Sequence, residues 1–303
     1  MSLLPSATEI IHALGLGRYQ VGRSHECDYP SAVLNLPVCT RPAIPVAGPS
    51  AEINRFVQER LASALSIYEV DTDLLRTLQP THIITQMQCK VCAVSLDDVR
   101  SALTGQTGIK AEVIPLETYS LDDLWSGIRQ MARACDAAQT GEELVKALQG
   151  RMGIIEKRAC SVKIRPRIAA IEWLDPLMAA GNWIPELIEK AGGRSLFGTA
   201  GQHSPWMNWE QLSEADPDVI IAMPCGFDLP RTRSEMASLE ACKEWQKLEA
   251  VKNGRVFLCD GNQYMNRPGP RLVESLQIFA EILHPERFAP DLEGIGWECW
   301  SSV

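Results

Sequence analysis

WEQLSEADPDVIIAM, residues 209–223, decides the fold. Trp209–Ala215 has helical character and leads through Pro217 into residues 218–223, where the β-branched Val-Ile-Ile run suits a buried strand. The same order stands at 71–85: a short helix over 71–78, then Pro80, then a strand over 82–85. Working outward, strand and helix keep alternating. Toward the N-terminus lie a strand end at 2–4 and a helix through Leu14, which Ser6 or Thr8 can cap and Gly15 or Gly17 can stop. A short strand at 19–22, an amphipathic helix at 50–65, a helix at 95–103 and a strand at 111–116 follow. Toward the C-terminus come a strand at 167–171, a helix at 183–191, a helix at 238–250, a strand at 255–258 and a closing helix at 270–283. Alternation of this kind predicts parallel sheets with helices on both faces.

Between the two alternating halves the texture changes. Residues 120–158 contain no proline and no strand signal, and Leu121, Leu124, Trp125, Ile128 and Met131 recur at helical spacing, with Gly141 as a possible break. The expected architecture is α/β: two Rossmann-like parallel-sheet lobes, 1–119 and 159–303, joined by one long connector helix at 120–158, with a ligand cleft between the lobes.

Composition narrows the function. The 303 residues amount to roughly two domains, and 46% apolar with 22% charged residues is ordinary for a folded globular chain. A net charge of -9 without a basic stripe speaks against nucleic acid and anionic membrane as partners. No apolar run is long enough to span a bilayer. The N-terminus MSLLPSATEIIHALGLG has no basic leader and no small-residue cleavage site, and the chain has ten cysteines. Together these predict a cytoplasmic protein, with the periplasm as the alternative if an export signal has been removed.

In open parallel sheets ligands bind outside the carboxyl ends of the strands. The loops expected there are SHECDYP (24–30), QMQCKVC (86–92), EWLDP (172–176), MPCGF (223–227) and DGNQY (260–264) running on through 266–271, with SPWMNW (204–209) among them. Aromatic, sulfur and amide side chains on one rim suit a large, partly apolar ligand with a few polar anchors. His25, Cys27, Cys89 and Cys92 could supply one imidazole and three thiolates, a sound zinc or iron set. The Cys89-x-x-Cys92 pair fits two small buried residues better than a metal site, with a redox couple as the third reading. His203 could face the cleft, whereas His12 and His82 read as structural. Trp206 and Trp209 serve either ligand contact or packing. No GxSxG, P-loop or GxGxxG is present, and no enzyme activity is expected.

The opening Ser2-Leu3-Leu4-Pro5-Ser6-Ala7-Thr8-Glu9, followed by Gly15-Leu16-Gly17 and Val21-Gly22, resembles that of helical-backbone (class III) solute-binding proteins of cobalamin, iron-siderophore and haem ABC importers. Leu78-Gln79-Pro80 before 83–85, and Ala215-Asp216-Pro217-Asp218-Val219-Ile220-Ile221, extend the resemblance over essentially the whole chain. SHECDYP and TQMQCKVCAVS are similar to the subgroup of cobalamin-binding proteins. The resemblance implies a monomeric, non-catalytic binder needing no cofactor. It would hold cobalamin or another metal complex against Ser6, His25, Tyr29, Trp206, Cys225, Tyr264 and Arg267, and dock on an ABC permease through Asp73 and Glu210. The alternative is a cytosolic metal carrier or metalloenzyme built on the same lobes, using the His/Cys cluster and binding zinc or iron.

Overall fold

In the computed structural model, residues 1–63, 66–87, 94–104, 109–161 and 164–300 are described. They fall into two compact units. Unit 1 comprises Met1–Gly48, Glu52–Thr118 and Asp122–Lys146; unit 2 comprises Pro49–Ala51, Tyr119–Leu121 and Ala147–Val303.

Unit 1 carries α1 (Pro5–Ala13), β1 (Thr40–Pro42), α2 (Ser50–Ala62), β2 (Tyr68–Val70), α3 (Thr72–Leu78), β3 (His82–Gln86), α4 (Leu96–Thr104), β4 (Glu112–Leu116), α5 (Leu121–Ala134) and the start of α6 (Ala138–Ala159). Its sheet is read from single bridges as much as from ladders. Ser2 bridges Arg23 on one side and Ile84 of β3 on the other, and Arg23 bridges Val38, all parallel. β3 pairs in parallel with β4 from His82↔Glu112 to Gln86↔Leu116. In chain order these five segments lie 3-2-1-4-5, and the direction of winding reverses between Ser2 and β3. β1 continues from Val38 and pairs antiparallel with β2.

Helix α1 begins straight from the first strand segment because Pro5, with no N–H to satisfy, occupies its first turn. Neither Ser6 nor Thr8 caps it: Leu4 holds the cap position without a side-chain bond. Gly15, at φ 75°, ends it by the left-handed turn that only glycine adopts freely. The expected strand at 19–22 is a 3-10 turn over Gly17–Tyr19, and the sheet contact shifts to Arg23.

Residues 120–158 form two helices rather than one. α5 ends at Ala134 and α6 starts at Ala138, the break falling at Asp136 with φ 54°. Gly141 is not the breaker. A Cβ there would lie 2.4 Å from the Ala132 Cβ, so this glycine lets α6 lie against α5. The 22-residue α6 passes from unit 1 into unit 2 after Lys146.

Unit 2 continues with β5 (Arg167–Leu174), β6 (Leu177–Ala179), α7 (Ile184–Lys190), β7 (Arg194–Ser195), α8 (Trp209–Ala215), β8 (Val219–Ala222), α9 (Leu229–Glu240), α10 (Glu249–Lys252), β9 (Val256–Cys259), α11 (Leu272–Leu283) and β10 (Trp297–Cys299). β5 is central. It pairs in parallel with β8 on one side and β7 on the other, while its carboxyl half takes antiparallel β6. β9 adds in parallel to β8, and antiparallel β10 closes that edge. The buried core includes Ile171, Ile220, Leu258, Leu212 and Trp245. The helix expected at 238–250 is instead α9, starting earlier under an Asp228 cap, then a 3-10 turn at Trp245–Lys247 and α10. The interruption turns Trp245 inward, edge-on to Trp209 and Trp300 at centroid distances of 6.5 and 6.2 Å.

Candidate functional site

Each unit presents a rim at the carboxyl ends of its strands, and each rim is built by short-range chemistry. In unit 1 the chain leaves the Arg23 bridge into SHECDYP. His25 is half-buried; its backbone N–H donates to Thr40 Oγ1 at 3.1 Å, and the same hydroxyl lies 2.9 Å from Nδ1. The Tyr68 ring stands 5.6 Å from the imidazole at 41°. Burial, and then the Arg23 charge, hold the His25 pKa below its usual value, so the ring is neutral at physiological pH.

Cys27 faces the opposite way. It is fully buried, with Thr8 Oγ1 donating to its sulfur at 3.1 Å and Ser24 Oγ at 3.2 Å. Burial pushes its thiol pKa up, so it is no ready thiolate. The expected His25–Cys27 chelating pair is therefore not formed. The two residues leave a turn rather than a strand, and one side chain stays at the surface while the other fills the core. Cys89 and Cys92 lie outside the described residues. Among the described residues no group of three or more His, Cys, Asp and Glu is placed to hold a metal ion. Ser6 is buried in the first turn of α1, and Tyr29, 46% exposed before a cis Pro30, stands at the surface.

In unit 2 four loops are tied into one rim. Ser204 Oγ donates to Glu172 Oε2 at 2.7 Å and accepts from the Gly181 N–H. The Cys225 N–H donates to the Glu172 carbonyl, that of Asn262 to the Phe227 carbonyl, and Asn266 Nδ2 to the Met223 carbonyl. The carboxyl end of β5, the loops after β8 and β9 and the loop at 204–206 are thus linked by direct bonds. Three ionisable side chains, Glu172, Asp260 and Arg267, are buried here. Asp260 accepts from the Gln263 N–H at 2.6 Å, yet burial still raises its pKa. Arg267 donates to Asn262 Oδ1 at 3.0 Å.

The same loops also carry rings. Trp173 packs on Phe227 at 5.4 Å, and the Arg231 guanidinium caps Phe227 at 4.3 Å. Trp206, bridged to Met178 of β6, is 55% exposed. Tyr264 differs from expectation. It is only 8% exposed and Arg271 lies over its ring at 5.3 Å, so it offers no open aromatic face. Cys225 is half-buried. His203 is spent locally, its Nδ1 donating to the Ser204 carbonyl. Thr40, Tyr68, Glu172, Ser204, Phe227 and Arg271 were not foreseen as site residues. Glu172 carried a signal, as an acid right beside the end of the expected strand 167–171, whereas nothing in the sequence ties Thr40 to His25 or Ser204 to Glu172.

Asp73 and Glu210 sit in the first turns of α3 and α8, and both are exposed. Arg76 Nη1 bonds Asp73 at 2.7 Å.

The profile of the periplasmic binding protein family matches residues 1–263. This chain belongs to that family. Members of the periplasmic binding protein family that resemble it include the vitamin B12-binding protein of Vibrio cholerae, 23% identical over 91% of this chain and 86% of the relative. Another is the uncharacterised ABC transporter substrate-binding lipoprotein YvrC of Bacillus subtilis, 22% identical over 95% and 80%. Among solved structures, the periplasmic vitamin B12-binding protein BtuF of Vibrio cholerae superposes with a TM-score of 0.65 at 20% identity, covering 94% of this chain and 95% of that one. The periplasmic heme-binding protein RhuT of Roseiflexus sp. RS-1 superposes at 0.69, with 20% identity and coverage of 94% and 97%. The expected class III solute-binding protein with α/β lobes is borne out, and these relatives are binders rather than enzymes. They lend nothing to the cytosolic metal-site reading. Named as periplasmic proteins or lipoproteins, they favour the periplasmic alternative over the cytoplasmic expectation.

Proposed function

We propose that this chain binds a corrinoid or a related tetrapyrrole–metal complex and delivers it from the periplasmic side to the membrane subunits of an ABC importer. The observation that carries the reading is the rim of unit 2. Its loops are held to one another by direct hydrogen bonds, it carries an exposed indole (Trp206) and a ring pair (Trp173 and Phe227), and Arg267 and Glu172 are buried in it. A rim fixed in advance loses little entropy on binding. Flat apolar rings over a few fixed polar groups match a large planar ligand with polar edges. The relatives named for vitamin B12 and heme support the same ligand class. On unit 1, the half-buried His25, the exposed Tyr29 and the buried Ser6 are assigned to the ligand; on unit 2, the exposed Trp206, the half-buried Cys225 and the buried Arg267 are, with Tyr264 as support.

Asp73 and Glu210 are assigned to permease docking. The Asp73–Arg76 pair is solvent-exposed and worth under about 1 kcal/mol, so a permease cation can displace it. The test is titration of the protein with aquocobalamin and with ferric haem, followed by tryptophan fluorescence, and then transport in vesicles holding the importer. Saturable one-to-one quenching by either ligand is expected, together with an Asp73→Lys, Glu210→Lys variant that keeps ligand affinity and loses transport. Absence of saturable binding by both ligands overturns the ligand assignment. Transport undiminished in the double variant overturns the docking assignment.

A further inference from the structure

We propose that His12 is an acid-sensing switch in unit 1: on taking a proton the imidazole leaves its seat against Gly17, and the turn that follows the ligand loop moves with it. This rests on the ligand reading above and adds to it a control of uptake and release by pH. The geometry around the ring carries it. His12 lies in the last turn of α1, beside a cavity of about 360 Å³ lined also by Gly15, Gly17 and Arg18 and by Ala32, Val33 and Leu36. A Cβ on Gly17 would stand 2.4 Å from His12 Cε1, 2.5 Å from Nδ1 and 2.9 Å from Nε2. The polar edge of the imidazole thus faces the bare α-carbon of a glycine. Neither ring nitrogen makes a hydrogen bond among the described residues, and Nε2 is sealed from solvent.

A neutral ring tolerates that seat, whereas an imidazolium has two N–H groups to satisfy there and no acceptor for them. The other charge in the cavity wall is Arg18, a second cation. The 3-10 turn Ser31–Asn35 brings no ionisable group, and Glu9, one turn back on α1, is buried and engaged elsewhere. The carboxyl end of α1 favours a cation, but burial outweighs it and holds the His12 pKa below its ordinary value. The protonated ring therefore moves into the cavity, against the turn Ser31–Asn35. Val33 of that turn is fully buried and donates its N–H to the Pro30 carbonyl at 3.0 Å. Pro30 opens the turn and Tyr29 precedes it, so the end of the SHECDYP loop follows the displacement. The seated, neutral form is the one that binds. Its share is complete well above pH 6.5 and falls as pH drops through the native pKa, which for one proton lowers affinity by at most about tenfold per pH unit.

Two measurements on the full chain test this. Hydrogen exchange, corrected for its intrinsic pH dependence, should find amides in 15–20 and 31–36 more open at pH 5 than at pH 7.5 in wild type. They should be equally closed at both in His12→Phe and His12→Gln, neither of which takes a proton. Gly17→Ala crowds the seat and should show the acid pattern already at pH 7.5. Titration with cyanocobalamin and with ferric haem should find affinity falling roughly three- to tenfold between pH 7 and pH 5 in wild type and holding steady in the two His12 variants. Unchanged exchange in wild type, or an acid response that persists in both variants, overturns the switch whichever ligand binds. Opening of these segments without loss of affinity overturns its control of the ligand. If neither ligand binds at any pH, the ligand reading fails, and exchange alone decides the switch.

Discussion

Gly261→Ala tests whether the rim of unit 2 is held as tightly as its hydrogen bonds imply. Gly261 opens the loop after β9, and a Cβ there would stand 2.0 Å from the Pro224 carbonyl oxygen, 2.8 Å from its carbon and 3.0 Å from Asn266 Nδ2. Ordinary contact is near 3.4 Å, so the methyl group overlaps the neighbouring backbone by more than an ångström. Neither partner can swing aside, because Pro224 has a fixed φ. The two loops are also clamped by Asn262 N–H to the Phe227 carbonyl and Asn266 Nδ2 to the Met223 carbonyl, each at 3.0 Å. The loops must part, and both bonds stretch. Overpacking of this kind costs about 1–3 kcal/mol, and weakening two bonds adds about 1 kcal/mol more. A loss of about 3 kcal/mol corresponds to a fall in Tm of roughly 6–12 °C for a unit of this size. Calorimetric melting measures it, with Gly226→Ala as control. Gly226 has φ 77° and nothing within 4 Å of its Cβ position, so only backbone strain of about 1–2 kcal/mol applies there. A Gly261→Ala protein melting within about 2 °C of wild type would refute the claim that the loops are locked.

Trp206→Ala should weaken tetrapyrrole binding roughly 50-fold by calorimetric titration. Covering the exposed half of the indole removes roughly 100 Å² from water and contributes about 2.5 kcal/mol. Gly150→Ala in α6, where a Cβ meets nothing within 4 Å, should raise stability by about 0.5–1 kcal/mol in urea unfolding with no change in ligand affinity. His12 has its pKa lowered by burial and a buried Nε2 without a hydrogen bond. The unfolded chain therefore takes up its proton first as pH falls. Its contribution is complete above about pH 6.5 and is lost as pH drops toward the native value. His12→Gln should flatten the fall in urea midpoint between about pH 7 and pH 5.5, and an unchanged slope would remove His12 as a source of acid sensitivity.

The parts of the fold that were legible in the sequence are those set by local pattern. Trp209–Ala215 and its following strand were placed to within a residue, because a capping amide, a buried leucine, a proline and a β-branched run lie in order. What was missed depends on contacts distant in sequence. Gly141 looks like a helix breaker until Ala132 is seen against it, and the true break, at Asp136, has no glycine or proline to announce it. At the candidate site, composition marked the post-strand loops as rich in aromatic, sulfur and amide side chains. It could not show that His25 and Cys27, two residues apart, face opposite ways, because that choice is made by Thr40 on one side and by Thr8 and Ser24 on the other. Nor could it show Tyr264 covered by Arg271.

The two exposed acids owe their positions to one device used in both units. α3 and α8 are each seven residues long. Each is opened by a side-chain cap: Asp71 accepts from the Leu74 N–H and Asn208 from the Gln211 N–H, both at 2.9 Å. Each buries one leucine completely, Leu75 or Leu212, and ends on a non-glycine residue in the left-handed region, Gln79 at φ 41° or Asp216 at φ 39°, just before a proline. A left-handed non-glycine costs about 1–2 kcal/mol, and the chain accepts that cost at matching places. The residue before a proline is kept from continuing the helix. The helix is thereby cut at seven residues and delivered at a fixed angle into β3 or β8, the strand beside the point where each sheet reverses direction. With cap, buried leucine and proline at matching places, Asp73 and Glu210 occupy the same second position of their helices, one in each unit.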